Sequence, residues 1–154
     1  MTSTQHEICV TSELANLANI GIFVSERARL SGMSEKQVFQ VQMAVDEACT
    51  NAIRHAYQGR DDASIHLRLW TDPDAIVVEL EDHGRPADAA RIAPREISLP
   101  TQTELKPGGL GVQFIRQAFD DVVYHSEPHG GNRLTMRLRR PPHRTLSAET
   151  VDEE

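Results

Sequence analysis

The sequence predicts an α+β fold, a two-layer sandwich in which helices pack against a mostly antiparallel sheet. Two observations favour this class. Strand-like runs come in pairs joined by short turns, and short turns join antiparallel strands. Helical patterns cluster near the start of the chain and recur once before the last pair of strands. The predicted order is strand, helix, helix, strand, strand, long loop, helix, strand, strand, which differs from the alternation of a doubly wound parallel sheet.

The chain is predicted to open on an edge strand and a helix. Residues His6 to Val10 are short and partly β-branched, which indicates an edge strand. Ser12 is expected to cap a helix that runs to Leu30, because a serine oxygen accepts a hydrogen bond from a free N–H group of the first turn. Gly32 is expected to end that helix.

A second helix is predicted from Ser34 to about Tyr57. Ser34 and Gln37 have the spacing of a capping box, in which each side chain satisfies a free N–H group of the other residue. Gln58 and Gly59 are expected to end this helix, since glycine is common just past a helix end.

A hairpin and a long loop are predicted next. Strands over Ser64–Trp70 and Ala75–Leu80 are joined by a turn in which Pro73 presets φ. From His83 to Pro107 the periodicity disappears and prolines interrupt the chain. A compact domain rarely keeps so long a structureless loop unless it serves as a lid or a binding loop.

The last elements are a helix and a second hairpin. Residues Gly111–Phe119 have a helical pattern with apolar side chains on one side. Strands over Asp121–Ser126 and Asn132–Arg139 are predicted to pair across His129-Gly130-Gly131. Together these elements predict one domain over residues 6–140, followed by a disordered acidic tail over 141–154.

Composition and charge limit the classes of partner. The formal net charge is −7 at pH 7, which argues against direct nucleic acid binding because phosphate contacts need clustered Lys and Arg. No apolar run approaches the ~18 residues of a membrane span, and no basic-then-apolar leader opens the chain. We therefore expect a cytoplasmic protein with no membrane contact. Cys9 and Cys49 lack metal-ligand spacing and are expected to be reduced thiols.

A polar row on the second helix is the first candidate for a ligand site. Glu47, Asn51 and His55 recur every four residues, so they step ~40° apart along one edge of the apolar stripe. The stripe comprises Val38, Val41, Val45 and Ala52. Small Ala44 and Ala48 leave room beside the row. An acid, an amide and an imidazole at this border suit a ligand wall, and the alternative is the solvated edge of an amphipathic helix.

Two glycine-bearing segments follow along the chain. In Asp82-His83-Gly84, a carboxylate can accept a hydrogen bond from a ligand amine while glycine lets the backbone approach; the alternative is an ordinary turn. Gly108-Gly109-Leu110-Gly111 directly precedes a helix, whose N-terminus favours phosphate oxygens. It lacks the Lys-Ser/Thr ending of a P-loop, and its alternative is a flexible hinge.

Together and in this order, the segments resemble the Bergerat-fold ATPase superfamily of gyrase, Hsp90, histidine kinases and MutL. Residues 41–57 resemble the N box, 81–88 the first glycine box, 107–116 the second, and 131–136 the closing strand with its threonine. The Asp-x-Gly-x-Pro and Gly-Gly-Leu-Gly forms of the boxes are most similar to the anti-sigma-factor serine kinases of the RsbW/SpoIIAB type. The resemblance implies a histidine-kinase-like (GHKL, HATPase) ATP-binding domain with a mobile ATP lid.

The resemblance also implies a role for each motif residue. Glu47 is implied to be the general base, Asn51 to bind Mg²⁺, and Asp82 to accept a hydrogen bond from the adenine amino group. The further residues implied to bind ATP are His55, Gly84, Lys106, Gly108, Gly109, Leu110, Gly111 and Thr135. For His55, a solvated side chain is the alternative.

Three of these implications concern the pocket rim and the lid. Thr135 is expected to support the same adenine contact as Asp82. Lys106, with Arg91 and Arg95, is a candidate for contact with the γ-phosphate. Pro86 stands where the wider superfamily usually has a second glycine. This departure suits the anti-sigma branch, and it does not determine which path the lid segment follows.

The function implied by the resemblance is that of an anti-sigma factor and serine-protein kinase. Such a protein binds a sigma factor and uses Mg-ATP to phosphorylate a serine on a STAS-domain anti-sigma factor antagonist, and a homodimer is a further expected assembly. The alternative is an ATP-binding regulatory module that sequesters a protein partner without phosphoryl transfer. A third interpretation is a structural protein with a vestigial pocket.

Overall fold

The computed structural model describes residues 4–92 and 111–140. Their strands form one five-stranded sheet in the order β1-β2-β3-β5-β4, and every neighbouring pair is antiparallel. The strands are β1 His6–Thr11, β2 Ser64–Thr71, β3 Ala75–Asp82, β4 Asp121–Ser126 and β5 Asn132–Arg139. Both predicted hairpins are confirmed, and they join through the pairing of β3 with β5 at the centre of the sheet.

Helices pack on one face of this sheet. They are α1 Leu17–Leu30, α2 Glu35–Asn51, the short α3 Ala89–Ile92 and α4 Gly111–Ala118. Inward residues of α1, α2 and α4 share one apolar core with alternate residues of the strands. The alternation is clear in β5, where Leu134, Met136 and Leu138 are buried and the residues between them are not. The predicted two-layer α+β architecture is therefore confirmed.

The start of the first helix differs from the prediction. A 3₁₀ turn over Leu14–Asn16 precedes α1, and the buried Ser12 caps neither element. Its hydroxyl donates to the Arg60 carbonyl oxygen at 2.6 Å and accepts from the Ala63 N–H at 3.1 Å. Ser12 thus ties the end of β1 to the chain just before β2, a long-range bond that local capping preferences do not reveal.

The second helix begins as predicted and changes its winding near its end. The capping box of Ser34 and Gln37 is present in both directions. After Asn51 the backbone continues as a π-helical segment over Ala52–Ala56, a widened turn that is often found at functional sites. The chain then leaves the helix through Gln58 and Gly59, both at positive φ.

Three sequence predictions reach beyond the described residues. The acidic tail over 141–154 and most of the long loop lie outside them. So do the predicted ATP-binding residues Lys106, Gly108, Gly109 and Leu110, as well as Arg95. Among the helices that the structure does describe, none has the length and apolar character needed to span a membrane.

Candidate functional site

A cavity of about 260 Å³ opens between the end of α2 and the edge of the sheet formed by β3, β5 and β4. The segment that follows β3 closes its third side. The lining residues are Ala48, Asn51, Ala52, His55, Ala56, Leu80, Asp82, Arg85, Pro86, Ala87, Asp88, Tyr124, Asn132 and Leu134. Of the residues predicted from the sequence, Asn51, His55 and Asp82 therefore meet at one pocket, and Ala48 lines it as expected.

Asp82 lies at the closed end of this pocket. It is only 5% exposed, and its Oδ1 accepts hydrogen bonds from the Gly84 N–H at 2.9 Å and from Asn132 Nδ2 at 2.9 Å. Burial raises the pKa of Asp82 above its ordinary value, while these two hydrogen bonds work in the opposite direction. Both of these bonds use Oδ1, so neither of them occupies the second carboxylate oxygen.

Asn132 is a residue of the site that the sequence did not reveal. It stands directly opposite Asp82 in the β3–β5 pairing. Its Nδ2 donates to Asp82 Oδ1 and to the Arg85 carbonyl oxygen, and its Oδ1 accepts from the Ser126 hydroxyl at 2.6 Å and the Ala87 N–H at 2.9 Å. One amide thereby holds the Asp82 carboxylate, strand β4 and the segment after β3 (residues 85–88, the wall segment) in fixed positions.

Thr135 does not reach the pocket, and its predicted support of the Asp82 contact is wrong. In the β3–β5 register Thr135 pairs with Glu79, three residues before Asp82. Successive side chains of a strand point to opposite faces, so Thr135 faces away from the helices while Asn132 and Asp82 face toward them. On β5 it is Asn132, and not Thr135, that contacts Asp82.

Gly84 is required by contact with the protein itself. A Cβ placed on Gly84 would overlap the carbonyl group of Ala56 and would lie 2.7 Å from its Cβ. A backbone hydrogen bond stabilises the same contact: the Arg85 N–H donates to the Ala56 carbonyl oxygen at 2.9 Å. The first glycine box therefore packs against the last turn of the second helix, which sets the width of the pocket at this end.

Asn51 lines the pocket from α2, and beside it Glu47, which is not a lining residue, meets the start of α4. A Cβ placed on Gly111 would lie 2.6 Å from Glu47 Oε2 and 3.2 Å from Asn51 Nδ2. Asn51 is 7% exposed, and its Nδ2 is a buried donor with no hydrogen-bond partner among the described residues. Since a buried polar group normally has a partner, this amide marks a position where a ligand can complete the hydrogen bonding.

The two histidines of the motifs lie on different sides of the wall segment. His55 is exposed and borders the pocket, next to Ala52 and Ala56 of the π-helical turn. His83 is exposed in a separate, more open cavity on the far side of Gly84 and Arg85. Of the pair, only His55 can therefore contact a ligand in the pocket.

The donor set fits a magnesium ion that a nucleotide helps to bind. Asn51 and Glu47 offer amide and carboxylate oxygens, the ligands that Mg²⁺ prefers, and Mg²⁺ usually takes further ligands from phosphates and water. Within residues 4–92 and 111–140, no group of three or more His, Cys, Asp or Glu side chains is placed to hold a metal. Asn51 could offer its Oδ1 to the ion and its unpartnered Nδ2 to a phosphate oxygen, beside the first turn of α4.

The chain belongs to the family of the histidine kinase-like ATPase domain, which matches residues 10–138. The chain is similar to the serine-protein kinase RsbW of Halalkalibacterium halodurans, with 30% identity over 136 residues that cover 87% of this chain and 83% of that protein. RsbW of Listeria monocytogenes serotype 4a is 31% identical over 105 residues, which span 65% of this chain and 66% of that protein. The predicted similarity to RsbW-type proteins is confirmed.

Two further comparisons concern an anti-sigma factor and a solved structure. The anti-sigma F factor of Halalkalibacterium halodurans is 28% identical over 101 residues, which cover 66% of this chain and 68% of that protein. A chain in the crystal structure of the SiaB–SiaC complex from Pseudomonas aeruginosa superposes with a TM-score of 0.55 at 13% identity, over 88% of this chain and 89% of that chain. At this identity the structural likeness shows the fold alone.

Proposed function

We propose that this chain is an ATP-dependent serine-protein kinase that also acts as an anti-sigma factor. The observation that carries the proposal is the meeting of Glu47, the orphaned amide of Asn51 and Gly111 at the start of α4. An unsatisfied amide donor beside a helix N-terminus suits a phosphate oxygen, and the nearby carboxylate suits a general base or a cation shared with the phosphates. The family of the chain and the names of its relatives support the same assignment.

Each end of the pocket has a part in this proposal. Asp82, oriented by Asn132, accepts a hydrogen bond from the adenine amino group through its second oxygen. Asn51 would hold Mg²⁺, which when bound offsets the negative charge of the phosphates. Gly111 leaves room for the ends of Glu47 and Asn51, and the first N–H groups of α4 favour the negative charge of the phosphates there.

Glu47 is the proposed general base. It takes the proton of a serine hydroxyl as that oxygen attacks the γ-phosphorus. The new O–P bond forms while the bond from phosphorus to the β–γ bridging oxygen breaks, and ADP leaves with the electron pair. Phosphoryl transfer depends mainly on positioning and charge, and a positioned general base contributes typically about 10² to 10⁴-fold.

The finer part of the proposal concerns the partners. We propose that the phosphorylated serine belongs to a STAS-domain anti-sigma factor antagonist, and that the chain binds a sigma factor, in the cytoplasm, when the antagonist is phosphorylated. The name of the anti-sigma F relative supports a sigma factor as partner, and the RsbW relatives support serine as the acceptor. A homodimer is part of the same proposal.

The test combines ATP, Mg²⁺ and STAS-domain proteins of the source organism with three forms of the chain. Wild type and Asp46→Asn, which changes the acidic residue next to Glu47 on α2 whose atoms are not among those nearest Gly111, should both produce phosphoserine. Glu47→Gln should bind Mg-ATP and produce none. Equal transfer by wild type and Glu47→Gln would show that the catalytic assignment is wrong.

Two other results separate the alternatives. Clear binding of Mg-ATP with no transfer to any STAS-domain protein supports the regulatory module that sequesters a partner. Because a ligand that binds only the native state must stabilise it, the absence of any rise in melting temperature with Mg-ATP would exclude an ATP-dependent function altogether.

A further inference from the structure

The wall segment of the pocket (residues 85–88) is held at its near end by hydrogen bonds to Ala56 and Asn132, and at its far end it continues into α3. At its near end the Ala87 N–H donates to Asn132 Oδ1 at 2.9 Å. Ala87 and Asp88 line the pocket, and the chain then forms the short helix α3, in which the Ile92 N–H donates to the Asp88 carbonyl oxygen at 3.1 Å. The position of this wall therefore depends on what holds α3 at its far end.

Arg116 of α4 provides the attachment at the far end. Its Nη2 and Nε both donate to the carbonyl oxygen of Ile92, at 2.6 and 3.2 Å, and its Nη1 donates to the Val122 carbonyl oxygen of β4 at 3.4 Å. Within the described residues, this one guanidinium joins three elements: α3, α4 and the edge strand β4.

The same guanidinium also contacts an aromatic side chain of the pocket. The Arg116 Cζ lies 5.6 Å from the centre of the Tyr124 ring, a distance at which a cation is attracted to the ring face. Tyr124 lines the pocket from β4, opposite Leu134 of β5. Arg116 thus supports the pocket in two places without lining it.

We infer that Arg116 is a positioning residue of the nucleotide site, which holds Tyr124 and the far end of the wall segment where ATP binds. The inference rests on the proposed binding of ATP in this pocket. The guanidinium is assigned to ground-state binding, since its contacts among the described residues are to Ile92, Val122 and Tyr124 and none is to Glu47. Its loss should therefore change the affinity for ATP and leave the rate of transfer at saturating ATP nearly unchanged.

Lysine is the informative replacement because it keeps the charge and loses the fork. An ammonium group cannot donate two parallel bonds to the Ile92 oxygen while reaching Val122 and covering the Tyr124 ring. In titrations with ATP and Mg²⁺, Arg116→Lys should raise the Kd for ATP about ten-fold, as expected when about one net charge-assisted hydrogen bond is lost. The matched control is Arg133→Lys, an exposed arginine on the other face of the sheet, which should leave the Kd unchanged.

A second variant keeps the inference testable where Arg116→Lys fails to fold. Tyr124→Leu retains an apolar side chain and removes the ring, and it should also weaken ATP binding about ten-fold. In the double variant the effect of Arg116→Lys should shrink, since coupled residues are not additive. Unchanged ATP affinity in both single variants would overturn the inference.

The failure of this inference is distinguishable from the failure of the proposed function. If the wild type binds ATP and the variants bind it equally well, Arg116 does not have the inferred role, and the kinase proposal is unaffected. Wild type that binds no ATP in the presence of Mg²⁺ removes both. A fall in the transfer rate at saturating ATP with unchanged Kd also overturns the inference, because it would place Arg116 in the chemical step.

Discussion

At the Asp82 end of the pocket, hydrogen bonds within the protein already fix the polar groups, whereas at the Asn51 end a buried amide has no partner among the described residues. Asn132 uses both atoms of its amide to hold Asp82, the wall segment and β4. Asn51 and Glu47 instead face the glycine at the start of α4. The polar groups of the first end already have their partners within the protein, and we propose that a ligand supplies the missing partner at the second.

The two glycines make the same contrast. The missing Cβ of Gly84 leaves room for the backbone of Ala56, while the missing Cβ of Gly111 leaves room for the ends of two functional side chains. A methyl group against fixed backbone forces the fold to move, but one against a flexible carboxylate displaces only that group. Gly84 therefore serves the packing of the fold, and we propose that Gly111 serves the placement of Glu47 and Asn51 at the ligand site.

The largest expected effect is on stability and comes from Gly84→Ala. The added Cβ would overlap the Ala56 carbonyl group, which is held by the Arg85 N–H. We expect a loss of about 3 kcal/mol or more in the free energy of unfolding, at the upper end for overpacking. Denaturant titration measures it. Gly21→Ala is the control, because its Cβ would meet only the flexible Gln42 side chain at 3.2 Å, and a shift equal to that of Gly84→Ala would contradict the contrast.

Gly111→Ala should affect activity more than stability. Its Cβ would displace Glu47 Oε2, which lies 2.6 Å from that position, and a displacement of about 1 Å at a reacting group can cost about 10²-fold in rate. We expect phosphoryl transfer to fall about 100-fold while the free energy of unfolding changes by less than about 1 kcal/mol. Full activity in this variant would contradict the prediction, because it would mean that phosphoryl transfer does not depend on the position of the Glu47 carboxylate beside residue 111.

Asn132→Ala should lower the stability of the fold and weaken the proposed adenine site at Asp82. Truncation leaves Asp82 Oδ1, the Ser126 hydroxyl and the Ala87 N–H each without one partner. Because each net hydrogen bond contributes about 0.5 to 1.5 kcal/mol, we expect a loss of about 2 kcal/mol in stability together with weaker ATP binding. Thr135→Ala is the control, and if it weakened ATP binding equally, the assignment of faces from the register would be contradicted.

The sequence predicted the residues whose partners are close along the chain and missed those whose partners are distant. The capping box at Ser34 and the row of Glu47 and Asn51 are local patterns, so spacing reveals them. Asn132 contacts groups up to fifty residues away, and only the strand register shows which residue of β5 faces Asp82. Thr135 was misplaced for the same reason, since a shift of one position moves a side chain to the other face.

Asn51→Leu tests the Asn51 end of the pocket by removing the amide instead of supplying a partner for it. Leucine has a similar shape and no polar group, so it removes the unpartnered buried donor. We expect the unliganded protein to gain about 1 kcal/mol in the free energy of unfolding, because replacing an unsatisfied buried group removes its desolvation cost, while Mg-ATP no longer raises the melting temperature. A loss of stability larger than this gain would indicate that the Asn51 amide is already satisfied within the protein.

The smallest effect is the pH dependence contributed by Asp82. Burial raises the pKa of Asp82 in the folded chain above its value in the unfolded chain, so between those two values the folded state binds more protons. Stability therefore falls as pH rises from the ordinary aspartate value of about 3.9 up to the raised pKa, and the loss is constant above it. Asp82→Asn keeps the shape and cannot ionise, so the melting temperature of the wild type relative to this variant, without nucleotide, should decrease over that window. If this difference in melting temperature did not change with pH, the hydrogen bonds from Asn132 and Gly84 would fully offset the effect of burial. The fold would then stabilise the charged and the neutral forms of Asp82 equally.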